Sequence, residues 1–199
     1  MKINAKTQVW SQSVVLVPYK EHHVAKYHEW MKDPYLQAMT ASEPLTLDQE
    51  YEMQKSWLED EDKCTFIILD KHVYESSRDE VGAMIGDVNL FFNDQDRVRD
   101  AEIEVMIAES SQRQKGRGKE AILLMMRYGV EKLHVNAFSA KIKLSNTISR
   151  RLFEKIGFTL VSTSDVFEEA TYHLEVDEEL KTSLHCATPD YRLEEMAYD

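Results

Sequence analysis

Ala101-Glu102-Ile103-Glu104-Val105-Met106-Ile107, the turn Arg113-Gln114-Lys115-Gly116-Arg117-Gly118 and the run Lys119 to Leu133 decide how this chain is read. The first segment is apolar at every odd position, the two-residue period of a half-buried strand, so Glu102 and Glu104 share one face. The last carries Ile122, Met125, Met126 and Leu133 at helical spacings, which predicts a helix beginning at glycine. A helix N-terminus leaves its first amide N–H groups unpaired and carries the positive end of the helix dipole, so a glycine-rich entry there suits a diphosphate. Arg113, Lys115, Arg117 and Lys119 alternate through this turn, in a chain whose overall balance is acidic. A solvated basic turn whose glycines only satisfy backbone geometry is the plainer alternative.

Two nucleotide motifs are excluded. A Walker loop needs Gly-Lys-Ser/Thr with a further glycine upstream, whereas Lys119 is followed by Glu120 and Arg113 stands upstream. Gly116, Gly118 and Ala121 fit a dinucleotide pattern, but the next strand, Phe138 to Leu144, lacks the acidic residue that would meet the ribose.

With 199 residues and 43% hydrophobic content the chain can form one domain with a core, taken as residues 1–176, followed by an acidic extension over 177–199. A formal net charge of −12 argues against nucleic acid, whose phosphates are met by clustered Lys and Arg, and favours basic substrates. Cys64 and Cys186 are the only cysteines, so no disulfide framework exists and a reducing, cytoplasmic setting is expected. No stretch reads as a signal peptide or a bilayer span, so no membrane partner is expected. The seven histidines show no ligand spacing, and no metal is expected.

Elsewhere, Val14 to Val17 reads as a strand, His22 to Met31 as a short helix ending before Pro34, and Asp48 as the cap of a helix through Trp57. Thr65 to Leu69 and Met84 to Phe92 read as a hairpin whose connection, Asp70 to Glu80, is a long mobile loop. Asn93 to Asp100 is a polar turn. Asn146 caps a helix over Thr147 to Ile156 that Gly157 ends, and Phe158 to Ser162 with Thr171 to Val176 closes the sheet. From Asp177 the pattern weakens, which suggests a covering tail or disorder.

Arg113-x-x-Gly116-x-Gly118 between a strand and a helix resembles the glycine motif of the GNAT acetyltransferases. Their second signature is similar to Asn146 followed by Arg151-Leu152-Phe153-Glu154-Lys155-Ile156-Gly157-Phe158. Val15 to Tyr19, Thr40 to Leu47, Met53 to Leu69, Gly86 to Phe91 and Glu102 to Glu109 resemble the eukaryotic N-acetyltransferase 9 group. The resemblance implies an α/β (α+β) fold: a mixed, mostly antiparallel central sheet flanked by helices, with acetyl-CoA wedged between splayed fourth and fifth strands. Met106, Ile107 and Ala108 would pair with the pantetheine arm, and Arg113, Gln114, Lys115, Gly116, Arg117 and Gly118 would hold the pyrophosphate. Asn146 would bond cofactor or water, although helix capping explains it equally well.

Amide formation from a thioester needs a neutral amine, a stabilised oxyanion and a departing thiolate. In several members of the family a glutamate eleven residues before the first residue of the glycine motif serves as base, and Glu102 holds that place; Glu104, on the same face, could serve instead or bind a cationic substrate. The tyrosine that often protonates the thiolate is replaced by Phe153, with Tyr172 as a substitute donor. The expected partners are acetyl-CoA and a protein with a free N-terminal amine. The resemblance narrows this to tubulin N-termini and a microtubule-associated role. Lysine or polyamine acetylation, or a cofactor-binding interaction protein acting through its partner, are the alternatives.

Overall fold

The computed structural model describes residues 2–92 and 99–196. Apolar strands buried on both faces require covering layers on both sides, and the chain supplies them from its helices. The strands are β1 (Thr7–Trp10), β2 (Val14–Pro18), β3 (Lys63–Asp70), β4 (Met84–Phe91), β5 (Asp100–Ile107), β6 (Ala137–Lys143), β7 (Thr159–Ser164), β8 (Glu169–Glu175) and β9 (Arg192–Glu195). They form one sheet in the order β7-β8-β6-β5-β4-β3-β2-β1-β9, antiparallel except where β5 meets β6.

Alternation along each strand divides the core. Val15, Val17, Ile67, Leu69 and Met106 face one layer, made of α1 (Val24–Trp30), α2 (Pro34–Thr40) and α3 (Leu47–Glu59). Leu16, Phe66, Ile68, Leu90 and Ile103 face the other, built on α6 (Arg117–Leu133), whose Tyr128 ring meets Phe66 edge-on at 5.2 Å. Along the chain come also α4 (Lys71–Ser77), α5 (Glu80–Ala83), α7 (Thr147–Ile156) and α8 (Glu178–Ala187), of which α7 and α8 add Phe153 and Leu184 to the core on the α6 side.

Several expectations are corrected. The run from Asp70 is helical: Asp70 accepts from Val73 N and caps α4, and Asp79 accepts from Gly82 N and caps α5, so β3 and β4 pair without forming a simple hairpin. Thr46, not Asp48, caps α3, in a reciprocal box with Gln49. Pro34 begins α2, with Asp33 as its cap. Of the two readings of the stretch after Val176, the covering tail describes it through Met196: α8 packs Leu184 into the core and β9 pairs with β1. The polar turn expected over 93–100 falls outside the described residues except for its last two positions.

Candidate active site

The sheet opens at its one parallel junction. Asp100, Ala101 and Glu102 pair with Ala137, Phe138 and Ser139; past them β5 and β6 part. A cavity of about 340 Å3 lies along the parting, between β4, β5 and β6, with residues 39–42 and Trp57 on one side and α7 on the other.

The backbone facing this gap can be assigned from the register. Ala108 N donates to the Ile85 carbonyl, and counting back by twos turns Met106 and Glu104 toward β4, their partners being Asp87 and Asn89. Ile107 and Val105 therefore turn toward the gap. Of the three residues expected to meet a pantetheine arm, Ile107 has gap-facing backbone, while Met106 and Ala108 are bonded within the sheet. Arg113 explains why the strand end holds this shape: its Nε and Nη2 donate to the carbonyls of Ile107 and Ala108 at 2.8 and 2.9 Å. Across the ladder a Cβ at Gly86 would collide with the Met106 carbonyl oxygen, so glycine is what lets β4 approach the end of β5.

The turn beyond has two left-handed residues, Gln114 at φ 60° and Gly116 at φ 82°, and Gly116 caps α6. Gly118 is different: its backbone is not left-handed, and an added Cβ would make only ordinary contact with Ile107 Cγ1 at 3.5 Å. The fold alone does not require glycine there, whereas close approach of a ligand to the first amides of α6 does. Lys115 and Lys119 are exposed at this helix start and form no ion pair among the described residues. Arg117 instead turns to Asp70, 3.3 Å from its carboxylate. These features fit a diphosphate-bearing ligand, with Lys115, Lys119 and the helix amides as its contacts and Arg113 as a buttress.

The carboxylates on the cleft floor separate into two kinds. Glu102 is paired with Lys141 Nζ at 2.7 Å, and Glu169 with Lys143 at 3.0 Å. Among the described residues Glu104 has no such partner. Burial among the cleft walls, reinforced by the charge of Glu102, pushes its carboxyl up to about 7, although solvent reaches it through the cleft mouth. Asp87, fully enclosed, is pushed by burial up to about 6. Lys63 completes the group: its ammonium lies over the Trp57 ring at 2.8 Å and the Phe91 ring at 4.0 Å, and burial draws it down to about 7. Asp87, Asn89 and Lys63 were not singled out from the sequence. The signal was present, since Asp87 and Asn89 interrupt an otherwise apolar strand at alternate positions and must point to one face.

On the α7 side, Asn146 lines the cavity and caps its helix, accepting from Ser149 N at 3.1 Å. Phe153 also lines the cavity, set edge-on to Phe158. Tyr172 is not brought there: its hydroxyl donates to Glu154 Oε1 at 3.0 Å and accepts from Arg150 Nε at 3.1 Å, away from the cleft lining.

One cluster elsewhere has metal-binding residue types, His22, His23 and Glu80. His23 Nδ1 accepts from Lys20 N at 3.1 Å, so Nε2 carries the ring proton and donates to Glu80, which leaves no lone pair on His23 for an ion.

With that sheet, those splayed strands and that glycine turn, the chain belongs to the GNAT acetyltransferase family: residues 13–159 match the model of the acetyltransferase (GNAT) domain. Among its relatives is the alpha/beta-tubulin-N-acetyltransferase 9 of Homo sapiens, 49% identical over 200 residues, covering 96% of this chain and 97% of that one. The N-acetyltransferase 9-like protein of Nematostella vectensis is 57% identical over 172 residues, 86% of this chain and 87% of its own. A spermidine N-acetyltransferase from Vibrio cholerae, solved in complex with CoA and spermine, shares the fold with a TM-score of 0.66 at 14% identity, over 90% of this chain and 99% of that one. The protein is an acetyl-CoA-dependent N-acetyltransferase. Among the described residues no helix is long and apolar enough to cross a membrane.

Proposed function

We propose that the protein acetylates the N-terminal α-amine of a protein substrate, that Glu104 is the general base, and that tubulin N-termini are the acceptor. One observation carries the amine class. Of the four carboxylates that line the cleft among the described residues, Glu102 and Glu169 are paired with Lys141 and Lys143, which leaves Glu104 and Asp87 to meet an incoming cation. That suits a single ammonium better than a polyamine, which needs several free carboxylates along its length. The proton affinity of Glu104 points the same way. Whatever base receives it, a proton leaves an α-amine of pKa near 8 at about 3 kcal/mol less cost than it leaves a lysine near 10.4, so a moderately basic carboxylate suits the α-amine. The tubulin assignment rests on the human and mouse relatives, both named alpha/beta-tubulin-N-acetyltransferase 9.

In this mechanism acetyl-CoA supplies a thioester carbonyl and a thiol of pKa about 8.5, a leaving group that departs as thiolate without strong acid assistance. Phe153 at the cleft wall is consistent with that. Lys115, Lys119 and the first amides of α6 bind the diphosphate, and the gap-facing amides of Val105 and Ile107 receive the extended arm. Glu104 removes the ammonium proton, while Glu102 holds Lys141 at the rim and keeps a second negative charge beside Glu104.

A panel of peptides with free N-termini, internal lysines or neither, together with spermidine, incubated with labelled acetyl-CoA and read by mass spectrometry, tests the acceptor class. Label confined to α-amines is expected; label on lysine or spermidine alone refutes it. Glu104→Gln should lower kcat by about a hundredfold or more with acetyl-CoA affinity unchanged. Glu102→Gln should cost less than tenfold. The reverse order would transfer the base role to Glu102.

A further inference from the structure

The deepest carboxylate in the cleft has one oxygen unaccounted for. Asp87 is 3% exposed and lines the cavity. Its Oδ2 accepts from Asn89 Nδ2 at 2.6 Å, and Asn89 Oδ1 accepts from Thr65 Oγ1 at 2.6 Å. This relay has one direction. With its oxygen engaged by the threonine hydroxyl, the Asn89 amide can present only its NH2 to Asp87, so both groups are held in place. Asp87 Oδ1 is left buried without a hydrogen-bond partner. Lys63 does not complete it at contact distance, because its ammonium sits on the Trp57 and Phe91 rings and forms no ion pair within 4 Å among the described residues. An enclosed carboxylate oxygen lacking a donor is costly, and because Asp87 lines the cavity, a ligand amine settling against it supplies the missing donor.

The register fixes where that donor would stand. Asp87 pairs with Met106 and Asn89 with Glu104, so Asp87 and Glu104 lie on neighbouring strands of one face, two residues apart along the ladder. We propose that Asp87 Oδ1 is the anchor for the acceptor's amino group, accepting one of its N–H bonds and holding the nitrogen beside Glu104. The proposal rests on the amine-acetylation reading above. Glu104 takes one proton, the nitrogen attacks the thioester carbonyl, and the C–S bond breaks as the thiolate departs with the second proton that the nitrogen must lose. Asp87 forms no covalent bond and accepts no proton, and keeps a hydrogen bond to an N–H that remains. A primary ammonium has the three donors this requires: one for Asp87, one to give to Glu104, and one left over.

The test compares a short peptide with a free N-terminus and the same peptide with its α-amine replaced by hydrogen. Each is titrated calorimetrically into the full-length, CoA-loaded protein. Wild type should bind the free-amine peptide at least about tenfold more tightly than the des-amino peptide. Asp87→Asn should bring that ratio close to one while leaving affinity for CoA and for the des-amino peptide unchanged, and in turnover it should raise KM for the amine by about tenfold or more. A ratio preserved in Asp87→Asn overturns the anchor. Should that variant lose its cooperative melt, the wild-type ratio decides alone, and a value under about threefold overturns the proposal. Failure of the acceptor class is distinguishable. If lysine peptides or spermidine are the only substrates, the rise in KM caused by Asp87→Asn on whichever amine is turned over still reports on the anchor, and no rise refutes it.

Discussion

Glu102 and Glu104 are the same residue type on the same face, and their surroundings make them chemically different. Lys141 reaches Glu102 because β6 runs parallel to β5 at that end, whereas Glu104 stands past the point where the strands part. The alternation of β5 made the pair legible in the sequence. Which member carries a raised proton affinity was not legible, because Lys141 is 39 residues away and reaches Glu102 only through the sheet. Lys63 extends the argument. Its positive charge lowers the proton affinity of both Glu104 and Asp87, against the larger effect of burial. Lys63→Met keeps a side chain for the Trp57 and Phe91 faces and removes the charge, so both carboxyls should rise further. Since the base must be ionised to act, the acid limb of the pH dependence of kcat/KM should move up by roughly half to one unit. An unmoved or lowered limb would separate Lys63 from the reaction.

At the scale of elements, the polar run after β3 shows how a helix can be hidden. Asp70 and Asp79 each begin a helix by capping it, but neither helix has the apolar stripe by which longer ones are recognised. What fixes α5 is Glu80, which accepts from His22 at 2.9 Å and from the buried His23 at 3.2 Å. Those bonds hold its carboxyl at about 2, below the ordinary 4.5. A depressed carboxyl stabilises the fold above the unfolded value and loses that contribution as pH falls through the folded one. Glu80→Gln should therefore reduce unfolding free energy at pH 7 by roughly 1–3 kcal/mol, and the deficit should shrink between pH 4.5 and 2. Urea melts at several pH values would show it; a deficit constant with pH would mean that packing, not charge, is responsible. The glycine turn was legible because its signal is local. The roles of its arginines were not, since Arg113 and Arg117 are bound by the end of β5 and by Asp70.

Across the whole molecule, the sheet's two faces and its central opening were legible through the family resemblance and the alternation of β5. The far edge was not. β9 reads Arg192-Leu193-Glu194-Glu195, a mostly polar and exposed segment, and what makes it a strand is backbone pairing with β1 at the other end of the chain. α8 locks this edge: Leu184 is buried against the core, and Arg127 of α6 donates to the Thr188 carbonyl at 3.0 Å while stacking on Tyr191. Leu184→Ala should accordingly cost roughly 2–4 kcal/mol in denaturant unfolding, a core-sized loss. A change under about 0.5 kcal/mol would return this segment to the status of a surface appendage.

The three-residue junction of β5 with β6 has a consequence of its own. Sheets usually carry their unpaired backbone at the outer rim, where water serves both donors and acceptors. Here two further edges lie inside the molecule, facing each other past Glu102 and Ser139. A slot of that kind selects by form: it admits something extended, with amide groups spaced like those of a strand, and turns away a compact molecule of equal charge. It also makes the protein two half-sheets joined by a short seam, so whatever enters the slot becomes part of the architecture.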